Sequence, residues 1–464
     1  MSAMAASGIT RNKLFEISAG ARSPAAMYFE AVNTLVAEMR FDYPDACRMI
    51  GSQAKSDNMR SFLLRLSDAL RSGEPIGDFL TREAGVLGED YQSRYDRDME
   101  SMKQWTNAFS SIVISVALIV IIQMISSMIY SLNTVMMTGL IATGVVMAGF
   151  GSWIIYRSAP KEKMVVSAKL GSPDQKRAMK LFKMIVPVAV ALAVIAYLIN
   201  LPMGMILIGL GVAFTPIGLA SFVSDRTTVK KDSEFSTFLR SSGGMATASG
   251  TTIKQALTRI DLTSFPTLEP DIRRLSARLG AGVDPEVCWT RFGQETGSAL
   301  ISEVVGIFYG AIRTGGDPER VGFVCSLFTS RTTQLRAKRR LTAGTFMGLT
   351  SVMQAVVAGI MVFVLSIINN FALMMDTLMP ADPDAMQGQQ MQFAMAQFNP
   401  GDLAFLQLIT IVMVILLALV GAFAIIAADG GYRLKVCFFL AVTMFISGIS
   451  FVLVPPLVAG ILKM

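Results

Sequence analysis

Arg336-Ala337-Lys338-Arg339-Arg340 is followed, after four residues, by an uncharged run from Thr345 to Ile368. As a helix, that run is long enough to cross the hydrocarbon core of a bilayer. Upstream of it, residues 225–340 form a long polar block between two strongly apolar halves. A sizeable water-exposed domain is therefore bounded at both ends by membrane helices. Positive residues beside a span hold that side of it in the cytoplasm, so the block is expected to be cytoplasmic.

The rest of the chain fits this frame. Of its 464 residues, 52% are apolar and 16% charged, the balance of a polytopic membrane protein. No histidine is present, which removes the commonest general base and metal ligand. Cys47, Cys288, Cys325 and Cys437 lie far apart with no CxxC pair, as expected for packed thiols rather than a disulfide set or metal site. No cofactor or metal is expected. The net charge of +7 is distributed as a topology signal, so no nucleic-acid partner is implied. Arg11 and Lys13 lead into Leu14-Phe15-Glu16 rather than an apolar core, so the start is read as cytoplasmic, with no signal peptide.

The expected fold is all-α, with about seven transmembrane helices and two homologous cytoplasmic helical bundles. Residues 1–106 make the first bundle. Tyr28, Phe29, Val32, Leu35, Val36 and Met39 recur at helical spacing, and a second helix starting near Asp57-Asn58 turns Phe62, Leu63, Leu66 and Leu70 inward before Gly73. Residues 107–224 hold four spans, Phe109–Tyr130, Val135–Tyr156, Leu181–Ile199 and Met203–Val223. Uncharged turns at Asn133 and Asn200 join them in pairs, around a basic cytoplasmic linker, 157–180. Residues 225–343 form the second bundle. Residues 344–464 hold three more spans, Thr345–Ile368, Leu403–Ala428 and Val436–Leu462, with an extracytoplasmic loop at 370–402 that is acidic, Met-rich and free of Lys and Arg. Every Lys- and Arg-rich segment then falls on one side, Lys463 excepted.

Arg65-Leu66-Ser67-Asp68-Ala69-Leu70-Arg71-Ser72-Gly73 recurs without gaps as Arg274-Leu275-Ser276-Ala277-Arg278-Leu279-Gly280-Ala281-Gly282, and the match extends to Thr81-Arg82 against Thr290-Arg291. Each copy reads as a helix, a glycine stop and a new helix ahead of a membrane span. In the second copy, Ser298 to Ile312 forms a helix and Gly315-Gly316 breaks it. Asp317-Pro318-Glu319 starts another, which continues through Arg340 into the span at Thr345.

This duplicated pattern resembles the type II secretion F-domain family, and the spans between the copies resemble its archaeal branch, the platform proteins of archaella and type IV pili. The second copy carries most of the signal. The resemblance implies a non-enzymatic membrane platform that passes the motion of a cytoplasmic hexameric secretion ATPase to archaellin or pilin-like subunits. It also implies a homodimer or higher assembly and contacts with motor-ring or accessory proteins. Archaellum members tend to be longer with more spans, so an adhesive pilus stays open beside the archaellum.

Arg313, Arg320, Arg331, Arg336, Lys338, Arg339 and Arg340 are candidates for docking the ATPase. Anchoring the helix to anionic headgroups of the lipid bilayer is the other reading. Gly315, Gly316, Asp317 and Pro318 are either a hinge or a plain helix–helix turn. In the outer loop, Met374, Met375, Met379, Met386, Met391 and Met395 fit a packed interfacial helix better than soft-metal ligation, and a contact with filament subunits is a further possibility. A transporter or permease is the rival class. No ionisable residue lies near mid-span, Lys183 is close enough to its helix end to snorkel, and Gln123, Gln354 and Gln407 are uncharged. No phosphate loop and no nucleophile–base pair is recognisable.

Overall fold

The computed structural model describes residues 1–5, 8–20, 23–126, 134–166, 171–199, 201–378 and 400–462. It is all-α: among the described residues no strand occurs, and the one extended contact is an isolated bridge between Val165 and Ser298. Among the described residues seven helices are long and apolar enough to cross a membrane. The turns expected at Asn133 and Asn200 lie outside the described residues. Two units divide the chain.

The first unit comprises Met1–Arg94, Val165–Ser172 and Thr227–Leu335. Its N-terminal helices are α1 (Ser2–Ala5), α2 (Arg11–Ala19), α3 (Ala26–Glu38), α4 (Tyr43–Gln53), α5 (Asp57–Arg71) and the start of α6 (Ile76–Ser126). On α5 the expected Phe62, Leu63, Leu66 and Leu70 are all buried, because positions three and four apart share one helix face. The cap is Ser56, one residue earlier than the sequence pattern suggests. Met39, the last of the helically spaced apolar residues, lies just past the end of α3 at Glu38 and is exposed. Phe29 makes edge contacts with Phe15 and Phe62, with ring centroids at 6.1 and 6.4 Å.

The same unit takes the end of α9 (Met203–Ala248), then α10 (Ile253–Arg259), α11 (Glu269–Gly280), α12 (Pro285–Glu295), α13 (Ala299–Arg313) and the start of α14 (Pro318–Leu378). Phe235, Phe238, Trp289, Phe292 and Phe308 form its aromatic centre. Buried side chains of both polar stretches belong to one continuous core, with α1 packed against α13. At the aligned glycines the backbone turns the same way: Gly73 has φ +74° and Gly282 φ +78°, the left-handed stop of a helix C-terminus. Leu66 and Leu70 are buried, as are Leu275 and Leu279 in the corresponding positions. Ser298 accepts the Ile301 N–H and so caps α13.

The second unit comprises Tyr95–Met164, Pro173–Arg226 and Arg336–Met464. It holds the apolar parts of α6, α9 and α14 together with α7 (Thr134–Ser158), α8 (Pro173–Leu198), α15 (Pro400–Asp429) and α16 (Val436–Leu462). Lipid gives helices little hydrophobic reason to associate, so small residues and interhelical hydrogen bonds do much of the joining. Gly204, Gly211 and Gly218, seven residues apart on α9, lie against α16. A Cβ at Gly218 would stand 2.6 Å from the Phe438 Cα, and one at Gly211 would stand 3.1 Å from the Ala441 carbonyl oxygen. Deeper in the unit, the Gln354 side-chain amide donates to the Val414 carbonyl at 3.2 Å and to the Ser447 hydroxyl at 3.0 Å, tying α14 to α15 and α16.

Candidate functional site

The run 336–340 lies within unbroken α14, and helical geometry splits it. Residues three and four apart share a face, so Arg336, Arg339 and Arg340 point one way and Lys338 another. Arg336 and Arg339 are buried and Arg340 is half-buried, whereas Lys338 is exposed. Arg336 donates to Glu162 Oε1 from Nε at 2.8 Å and from Nη2 at 2.6 Å. Arg339 donates to three carbonyls, Ala428 at 2.8 Å, Ala427 at 3.1 Å and Pro160 at 2.9 Å. The two alanines end α15, where carbonyls lack intrahelical partners and a cation is favoured.

Arg340 reaches Asp225 Oδ1 on α9 at 3.3 Å, the first contact of a buried charge cluster. Lys435 Nζ lies 3.2 Å from Asp225 Oδ2 and 2.8 Å from Asp429 Oδ2, with all three side chains no more than 8% exposed. Two carboxylates thus face two cations. The Tyr432 N–H donates to Asp225 Oδ1 at 3.3 Å, and the Tyr432 hydroxyl donates to the Gln175 carbonyl on α8 at 3.2 Å. Lys435 also sits over the rings of Phe222 and Phe439, 5.3 and 5.8 Å from their centroids.

The turn Asp429-Gly430-Gly431-Tyr432 makes this possible. Gly430 has φ +68°, and a Cβ there would strike the Arg339 guanidinium. A Cβ on Gly431 would stand 2.8 Å from Asp225 Oδ1. Arg340, Asp225, Asp429, Lys435 and Tyr432 therefore join the middles of α14 and α9 to the facing ends of α15 and α16. Ion pairs taken out of water hold only while every partner is present; removing one leaves an uncompensated buried charge. The sequence reading missed Asp225, Asp429 and Lys435 as a group. The only local sign was a carboxylate–glycine–glycine turn holding the single charged stretch between the last two spans. Among the described residues no cluster of His, Cys, Asp or Glu could hold a metal ion. Cys47 is buried in the first unit, and its thiol is pushed up to about 12 by burial.

The remaining candidates stay on surfaces. Arg313 is exposed and pairs with Glu286, Arg320 lies 3.8 Å from Asp317, and Lys338 lies 3.2 Å from Asp96. Arg331 is exposed, its guanidinium near Gly88. At the helix break, Gly315 has φ +95°, and the Gly316 N–H donates to the Ala311 carbonyl at 3.0 Å. Asp317 accepts the Glu319 N–H at 3.2 Å and the Thr247 hydroxyl at 3.0 Å. These four residues form a turn capped on both sides and tied to α9. Met374 and Met375 belong to α14, which runs to Leu378. Met379, Met386, Met391 and Met395 lie outside the described residues.

Residues 1–124 match the family model of type II secretion system protein F. The chain resembles that family. The match lies over the first copy of the repeat, although the sequence reading placed more of the signal in the second. Over 322 residues the chain is 28% identical to flagella accessory protein J of Methanocaldococcus jannaschii, covering 66% of this chain and 56% of that protein. Over 438 residues it is 21% identical to flagella accessory protein J of Methanococcus voltae, covering 90% of this chain and 76% of that one. No solved structure matches. With seven candidate spans, this is a multi-pass membrane protein.

Proposed function

We propose that the chain is the membrane platform of a filament machine of the archaellum and type IV pilus kind. The observation that carries this reading is the protein F match over residues 1–124, in a chain that also aligns with two flagella accessory proteins J. The N-terminus and the first unit lie in the cytoplasm, in the plasma membrane's positive-inside arrangement. There a hexameric secretion ATPase grips the chain. Helices α6, α9 and α14 each run without interruption from polar residues into an apolar window, so displacement at one end is carried along a helix rather than lost in a linker. Archaellin or pilin-like subunits receive that displacement at the spans.

The docking charges are Arg313, Arg320, Arg331 and Lys338, which stay exposed, whereas Arg336, Arg339 and Arg340 are engaged internally. Exposed charges of this kind steer and orient an encounter more than they tighten it. The turn at Gly315, Gly316, Asp317 and Pro318 is the place where α13 would swing against α14.

The test is co-purification of the full chain with the secretion ATPase from the same cell. Capture by the unaltered chain is expected. The R313E/R320E/R331E variant, inserted at the same level, is expected to capture less. Equal capture would remove these arginines from the interface. Solute flux through vesicles holding this chain alone would replace the platform with the permease reading.

A further inference from the structure

Among the seven candidate spans, α8 is the one least covered by protein: 6% of its apolar window is buried, against 56% in α14 and α15. Its outward side is ordered. Lys176, Lys180 and Lys183 follow at four- and three-residue steps, and the same stripe continues through Pro187, Val194 and Leu198, all exposed. The neighbouring Arg177 lies 3.7 Å from Asp174. The three lysines form no ion pair with an acidic side chain among the described residues. A short ladder of cations thus sits at the polar end of a helix, directly above a bare apolar track.

We propose that this stripe binds an anionic membrane lipid, with the headgroup phosphate held by Lys176, Lys180 and Lys183 and a hydrocarbon chain laid along Pro187, Val194 and Leu198. Both halves of the stripe match that ligand in order: negative charge at headgroup depth, then apolar length below it. A second copy of the chain fits worse. Copies in one membrane share their orientation, so a two-fold contact across the stripe would set three lysines against three lysines at equal depth, a like-charge arrangement that opposes association. Lysine suits the role, because its flexible stem lies along apolar surface while the ammonium reaches the phosphate layer.

Native mass spectrometry of the full chain, released from detergent after incubation with phosphatidylglycerol or phosphatidylcholine, tests this. The unaltered chain is expected to retain phosphatidylglycerol preferentially. K176Q/K180Q/K183Q is expected to lower that retention by about tenfold or more, given the usual worth of each juxtamembrane cation. K176R/K180R/K183R is expected to keep it. Equal retention of the two lipids by the unaltered chain overturns the proposal, and that comparison decides the matter should the glutamine variant not fold. Unchanged retention in a folded glutamine variant overturns it as well. So does displacement of the lipid by millimolar inorganic phosphate, which would mark a free-anion site. Efficient copy-to-copy cross-linking of V194C in membranes would assign the stripe to a second copy instead.

Discussion

In the first unit Phe292 lies among Phe235, Phe238 and Trp289, while in the second Gly218 brings α9 against the backbone of Phe438. One region is centred on large rings, whereas in the other glycines let two helix backbones approach, with Phe222 stacked on Phe438 beside them. The difference follows from the solvent. Water drives apolar rings together, at about 25 cal/mol for each Å² removed from it. A lipid-facing helix gains little that way and depends on close approach, with hydrogen bonds such as those of Gln354 as fixed points. The second unit also carries what the first has less of, a cluster of buried charges around the turn between α15 and α16.

That contrast can be broken at chosen places. Asp225→Ala strands Arg340, leaves Lys435 with Asp429 alone and is expected to cost about 3–5 kcal/mol, read as a loss of thermal stability in detergent. Adding Lys435→Met should cost less than the sum of the two single changes, because the two side chains share one network. Phe292→Ala should cost about 3–5 kcal/mol through the cavity it leaves, with loosening confined to residues of the first unit in hydrogen exchange. Gly218→Ala adds a single methyl group but meets backbone, and about 1–3 kcal/mol of overpacking is expected. If Gly218→Ala leaves stability unchanged, close approach is not what joins α9 to α16. Ser298→Ala, which removes one cap, is expected to cost about 1 kcal/mol and serves as the small reference.

Features that depend on neighbours in sequence were legible. The stops at Gly73, Gly282 and Gly315 and the unbroken passage of α14 from Pro318 through Arg340 follow from local chemistry and were read in advance, whereas Ser298, read as the first residue of its helix, is the cap before it. The span positions followed from apolar length, although α6 and α9 proved continuous with polar helix that the sequence had divided from them. The run 336–340 was legible as a basic cluster but not as two faces. Its meaning lies in Glu162, Asp225 and the carbonyls of Ala427 and Ala428, all far away in the chain. Helical phase alone separates Lys338 from Arg336, Arg339 and Arg340, and that phase could have been drawn before any coordinates existed.

The continuous core of the first unit draws on residues from both 1–94 and 227–335. Four membrane-crossing segments are made between those two stretches. On the ribosome, helix α1 emerges long before its partner α13 exists. Maturation of the hydrophilic half therefore has to wait for insertion of the first four segments, and stalling translation just short of residue 235 should leave the α1 residues Ala3 and Ala5 open to a chaperone.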